Sequence, residues 1–444
     1  MKILKQDFFK KYSQNVFSKL MADEELTINL SGEETLFCRF SKSRIRQIQH
    51  IDQGYVSLKF IKGKKSLSLY LKYTGIVDDD IKFTLKKIEE ARDHIKNFSE
   101  DPYLVKASNY GESSSSSNHP ELPEEEMMMT IADLSDHLDL AGVFTSGEMV
   151  KATANHLGQF HWFNTQGFHL DYSIYNSKQK AVKAMYAGTH FDKQKLLKNI
   201  EDSKFKLSLM SEESRDVKKG KHRVFLSPSA VSELIGTLSW GGVSMSAHKR
   251  GLGSLKRLMN QEEVWSEKFH LIEDFSSNLT PRFNELGELS PLKIDIIKKG
   301  KLENFLISSR TANEYKLESN FASEWEGLRS PSILGGELLE EDILKKLDTG
   351  LYISDLHYLN WSDRQTARIT GMTRYACFYV ENGQLKSPIN DLRFDESYSH
   401  IFGEGLVELT KDCQLIPNTG SYFERNLGAV VVPGVIVDNF NFTL

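Results

Sequence analysis

The chain has 444 residues, 39% of them hydrophobic and 26% charged, and a formal net charge of −5. That is material for two or three soluble globular domains, and the acidic balance supplies no electrostatic footprint for nucleic acid. Three cysteines, Cys38, Cys377 and Cys413, form no CxxC pair and leave an odd count, which favours a reducing compartment over a disulfide scaffold. Lys2, Lys5, Asp7, Lys10 and Lys11 interrupt every apolar run at the N-terminus, so no signal peptide is expected. No stretch approaches about 18 uninterrupted apolar residues. The expected compartment is therefore the cytoplasm, with neither membrane nor nucleic acid as partner.

Residues 5–20 place Phe9, Tyr12, Val16 and Leu20 at helical spacing. Residues 26–30 alternate as a strand, and 55–60 with 66–71 read as a hairpin around Lys62-Gly63-Lys64. Asp78, Asp79 and Asp80 then open a helix, where the macrodipole favours negative charge, and Ile81, Leu85, Ile88 and Ile95 mark its apolar face. The pattern predicts an α+β module over residues 1–106.

Residues 107–129 break that pattern. Ser113 to Ser117, two prolines and Glu124 to Glu126 predict a flexible linker or surface loop. Met127 to Met129 read as the apolar edge of the next helix. A middle α+β module is expected over 130–220. It has a helix through Leu134, Leu138 and Ala141, two strands at 159–163 and 169–174 separated by 164–167, and a helix over 192–203. Residues 221–444 are expected to be β-rich, with a twisted, barrel-like antiparallel sheet. They open with the buried-type strand Val224-Phe225-Leu226 and a helix over 229–238. Ser227 or Ser229 is its candidate N-cap, and Pro228 suits its first turn. The fold class is α+β.

The densest stretch is 350–402. Residues 351–353 and 375–380 read as strands, Asn382-Gly383 as a hairpin turn that tolerates positive φ, and 385–389 as the returning strand. Arg364, Arg368, Arg374 and Arg393 lie among Asp355, Asp363, Asp391 and Asp395. Two readings stand side by side: a network of partly buried ion pairs, or arginines that hold a peptide carboxylate or carbonyl.

This stretch resembles the TldD/PmbA family, the modulator of DNA gyrase proteins. The resemblance is carried by residues 355–364 (DLHYLNWSDR) and 368–375 (RITGMTRY), with Glu381-Asn382-Gly383, Pro388-Ile389 and 392–395 (LRFD). Residues 26–60, 222–230 (HRVFLSPSA) and 427–433 (LGAVVVP) extend it over about 25–444. Metallopeptidase members of that family carry His-Glu-x-x-x-His on the helix after the 222–226 strand, two imidazoles for one metal and a Glu to activate its water. Here no His lies between Arg223 and Ala247, and Glu233 is the only acid in the helix. The family's third ligand is a Cys in a Cys-Gly loop. The comparable loop, 418–425, has none, and Cys413 is followed by Gln414.

The resemblance therefore implies the TldE/PmbA branch: a non-catalytic subunit with no catalytic residue, no metal and no cofactor of its own. Zinc or a similar metal is then expected in a TldD-like partner, and unfolded peptide is the substrate. The alternative is a self-associating peptide- or ligand-binding protein without peptidase activity. Asn360, Trp361, Arg364, Arg368 and Arg374 are the candidate peptide contacts. Outside the resemblance, His156, His161 and His169 are spaced for sheet positions. The two readings are a zinc site shared across a hairpin and ordinary sheet histidines. Residues 246–253 read as a mobile loop rather than a phosphate cradle, and no GxSxG supports a serine hydrolase.

Overall fold

The computed structural model describes residues 3–116 and 122–444. Four long strands dominate the N-terminal half: β1 (Glu24–Ser41), β2 (Arg44–Lys62), β5 (Asp139–Asn155) and β6 (Phe160–Tyr175). With β3 (Lys65–Tyr73), β4 (Glu112–Ser116) and β7 (Ala181–Gly188) they form one sheet in the order β3-β2-β1-β5-β6-β4, with β7 also on β6. Along β1 the apolar residues Leu26, Ile28, Leu30, Leu36, Cys38 and Phe40 share one face, as a period of two requires.

Helices cover that face in two pairs. α1 (Gln6–Phe17) and α2 (Val77–His94) pack over the first half. α3 (Glu124–Leu134) and α4 (Lys193–Leu209) pack over the second. The opposite face of β1 is also buried, through Thr27, Glu33 and Thr35. What covers it around Ser31 and Thr35 is a loop of the C-terminal half.

The C-terminal half is strand-rich. β8 (Gly220–Leu226) lies inside a nine-stranded sheet, antiparallel to Val435–Phe442 and parallel to Gly350–Ile353. The end strand of that sheet is Asp355–Asp363, paired with Arg368–Arg374. A second, six-stranded sheet holds Leu271–Asp274, Pro331–Ile333, Gln414–Pro417 and Ala429–Val432. Both sheets are open and mostly antiparallel, so the molecule is α+β with a β-rich C-terminal region.

Between the two sheets runs α5 (Pro228–Ser239), which buries Ala230, Val231, Leu234, Ile235 and Leu238. Pro228 occupies its first turn, and the Ser227 hydroxyl caps it by accepting from the Ala230 amide at 3.3 Å. The same hydroxyl donates to the Ser354 carbonyl at 2.6 Å, which ties the start of α5 to the neighbouring strand.

The sequence expectations differ from the structure in four places. The segments 1–106 and 130–220, read as separate modules, contribute to one sheet, because β1 pairs with β5 from Thr27–Asn155 to Ser41–Ala141. Within 107–129, expected as a linker, residues 112–116 are β4 and 124–129 begin α3; Ser117 lies outside the described residues. Polar β4 is tolerated because it adds a parallel edge to β6, where its serines need little packing. Ala141, expected in a helix, lies in β5, and the two strands predicted around 164–167 are the single strand β6. Met127 and Met128 are buried in α3, as its apolar edge, while Met129 is exposed.

Candidate functional site

α5 and the stretch 416–430 face one another across a cavity of about 790 Å³. Ser232, Glu233, Gly236, Thr237 and Trp240 line it from the helix, and Asn418, Thr419, Asn426 and Gly428 line it from the loop. These are the two segments that the sequence resemblance matches to the metal motif and the Cys-Gly loop of the family's peptidases. Ser232, Glu233 and Thr237 occupy the first, second and sixth places of the His-Glu-x-x-x-His spacing, with hydroxyls where that motif has imidazoles.

The donor set does not fit a catalytic zinc ion, which needs three side-chain ligands and an open position. The Ser232 hydroxyl donates to the Ser229 carbonyl at 2.7 Å and Thr237 to the Glu233 carbonyl at 3.1 Å, so both are engaged with their own helix. Among the described residues, no three His, Cys, Asp or Glu side chains stand close enough together to hold a metal. Cys413 is half-buried and donates to the Ile333 carbonyl at 3.4 Å.

Glu233 is solvent-accessible within the cavity but closely walled. Desolvation, and secondarily the negative Asp355, push its carboxyl above the usual range, while Lys183 opposes the rise. Asp355, itself raised by burial, also accepts a hydrogen bond from Ser229 at the start of α5. Lys183 on β7 stands 3.6 Å from Asp171. A group of three carboxylates and one lysine thus joins the N-terminal sheet, α5 and the end strand.

The loop that closes the cavity is pinned to the N-terminal sheet. Glu424 accepts from Ser31 at 2.5 Å and from Lys151 at 2.8 Å, and Lys151 also donates to Ser31. The Phe423 carbonyl accepts from Gln53 at 2.8 Å. Arg425 inserts into the sheet face and reaches the carbonyls of Gly167 and Gly147 at 3.1 and 3.5 Å. Gly147 has a φ of +139°, and a Cβ there would lie 2.0 Å from the Glu34 carbonyl, so only glycine fits this meeting point. Arg329, lining the same cavity, is buried against Phe275 and donates to Phe283 and Ser290.

The five residues expected as peptide contacts lie beside this cavity rather than in its lining. Trp361 and Arg364 brace the end of α5: the indole and the guanidinium both donate to the Trp240 carbonyl, at 3.3 and 3.2 Å. Arg364 also stacks between Trp240 and Trp361, 5.1 Å from each ring centre. Arg368 closes its fork on Asp395, with Nε at 2.8 Å and Nη2 at 2.6 Å from the same carboxylate oxygen. Arg374 stacks on Tyr375 at 4.9 Å. Asn360 is exposed on the end strand.

His161 and His169 lie on one strand, eight residues and about 27 Å apart at ~3.4 Å per residue, so the pair does not form a shared zinc site. Lys151, Glu424 and Arg425 escaped the sequence reading, since lone charges in an unread strand and a loop carry no pattern. The Ser232-Glu233-x-x-x-Thr237 spacing was the one signal available.

A family model described as the PmbA/TldA metallopeptidase C-terminal domain matches residues 219–444. No curated protein matches the sequence. Among solved structures, a protein named as a modulator of a DNA gyrase from Thermotoga maritima superposes with a TM-score of 0.77 at 14% identity, covering 98% of this chain and all of that one. TldE from Thermococcus kodakarensis gives 0.74 at 15% identity, covering 99% of each chain. A gyrase-modulator protein from Bacteroides thetaiotaomicron gives 0.73 at 14% identity, covering 98% of each. At these identities the superpositions speak for the fold, and the matched half of the sequence speaks for the family. This chain belongs to the TldD/PmbA family.

Proposed function

We propose that this chain is the non-catalytic, TldE-like subunit of a cytosolic two-component metallopeptidase that acts on unfolded peptides. A TldD-like partner supplies the metal, zinc or a similar ion. The observation that carries this reading is the cavity between α5 and the 416–430 loop. It is an open cleft between those two segments, and it offers one carboxylate and two engaged hydroxyls where three metal ligands are needed.

The end strand Asp355–Asp363 supports the peptide part. An extended peptide can add to a sheet edge through its backbone, with little demand on its side chains. Asn360, Trp361, Arg364, Arg368 and Arg374 then form the wall that the peptide or the partner meets.

The test is reconstitution with a TldD-like chain from the same host that carries His-Glu-x-x-x-His. Peptide cleavage that requires both chains, with the metal bound to the partner alone, is the expected result. Stoichiometric zinc in this chain, essential for cleavage without a partner, overturns it. Recovery of only this chain as a ligand-binding oligomer supports the self-associating alternative instead.

A further inference from the structure

A second, smaller cavity of about 290 Å³ lies on the other side of the same loop, against the N-terminal sheet. Met149, Phe168 and Leu415 supply apolar wall, and exposed Asn418 and Asn426 stand at its mouth. Arg425 and His169 supply the polar part of the lining.

Arg425 is 7% exposed, and its partners are three neutral oxygens: Gly167 O at 3.1 Å, Thr35 Oγ1 at 3.4 Å and Gly147 O at 3.5 Å. A guanidinium has five N–H donors in a rigid fork, and a buried cation ordinarily has a carboxylate against it. Among the described residues no carboxylate lies within ion-pair distance of Arg425; Glu33, joined to it only through the Thr35 hydroxyl, and Glu124 act on its charge from farther off. This contrasts with Arg368, Arg92 and Arg310, each of which is paired. Burial lowers the Arg425 guanidinium to about 10, which still leaves it charged at neutral pH. His169 beside it is held down to about 4 by burial and then by Arg425, so it is neutral and adds no second charge.

We propose that this cavity binds a carboxylate carried on a short apolar chain, with the carboxylate on Arg425 and the apolar body against Met149, Phe168 and Leu415. The volume lies just below the ordinary range for ligand sites, about 300–1,000 Å³, so it suits a small ligand rather than a long chain. Two sources share this chemistry, a free small acid and the C-terminus of a peptide. The rival account is that Arg425 only pins the loop to the sheet. The two accounts differ in whether an added carboxylate is recognised.

The experiment is calorimetric titration of the isolated chain, which keeps its outcome separate from the two-component reading. The probes are N-acetyl-leucine, N-acetyl-leucinamide, and a pentapeptide ending in leucine as free acid or amide. Saturable binding of at least one acid is expected, with its amide weaker by about tenfold or more. Which acid binds identifies the source. Arg425→Met, checked for an intact thermal transition, should abolish the difference between acid and amide, and Arg425→Lys should retain a reduced preference. Equal binding of acid and amide, no saturation with either acid at millimolar concentration, or a preference that survives in Arg425→Met overturns the proposal. Should Arg425→Met not fold, the acid–amide comparison on the natural chain decides alone.

Discussion

The wall formed by 350–402 and the loop 414–429 treat their charges differently. In the wall, Arg368 is paired with Asp395 and Arg364 lies between two indoles with a carbonyl to donate to. Around the loop, Glu233 and Arg425 face cavities, and neither has an opposite charge within ion-pair distance among the described residues. A buried or walled charge without a partner costs stability, whereas a paired one is tolerated. The contrast teaches that density of charge goes with mutual pairing here, whereas the charges that face the cavities stand apart from an ion-pair partner.

The largest expected effect is a break in the framework both regions share. Leu234 is fully buried in α5. Leu234→Ala removes its packing and leaves a void, with an expected cost of about 4 kcal/mol. Denaturant unfolding would read this as a lower midpoint with an unchanged slope. A loss below about 1 kcal/mol would mean that α5 is free to shift and does not fix the cavity.

Next in size is the acid response of the loop region. The His169 imidazole has an ordinary value of 6.5 and is held at about 4 in the fold, by burial first and Arg425 second. Between those values the unfolded chain takes up a proton that the folded chain refuses. The stability due to neutral His169 is therefore full above about pH 6.5 and is lost as the pH falls to 4, an amount on the order of 3 kcal/mol. His169→Gln should flatten that part of the pH profile. An unchanged profile would mean that His169 protonates freely and its site is wetter than its burial implies.

A smaller effect belongs to the wall. Arg368→Met keeps much of the apolar stem and loses the fork on Asp395. The pair is partly exposed, so the expected cost is about 1 kcal/mol. With the fold intact, loss of peptide processing by the assembled complex places Arg368 at the peptide. Activity lost only in step with folded protein makes it a framework residue.

The difference between the regions also explains what could be read from the sequence. The turn at Asn382-Gly383 was legible because both residues adopt positive φ, 51° and 70°. The Ser227-Pro228 start of α5 was legible because capping is local. The 18-residue length of β1 was not. Gly32, Glu33 and Glu34 interrupt its alternation, and Glu33 is accommodated by Thr35, by Gln53 from the neighbouring strand and by the positive charge of Arg425. Arg425 was invisible for the same reason: its environment comes from β1, β5 and β6, more than 200 residues away in sequence.

The smallest expected change in stability is also the one whose sign is most informative. The Glu233 carboxyl is raised above its ordinary value by desolvation and then by Asp355. A raised acid releases its proton more readily in the unfolded chain, so its contribution is full below about pH 4.5 and is lost as the pH rises through the folded value. Glu233→Gln should therefore raise the unfolding midpoint slightly at pH 7, and the gain should vanish toward pH 4. If Glu233 helps to hold peptide in the cavity it lines, the same variant in the reconstituted complex should raise KM while leaving kcat close to its starting value. A fall in kcat at constant KM would instead place Glu233 in the chemical step. A fall in stability at pH 7 would make it a framework charge whose partner is Lys183.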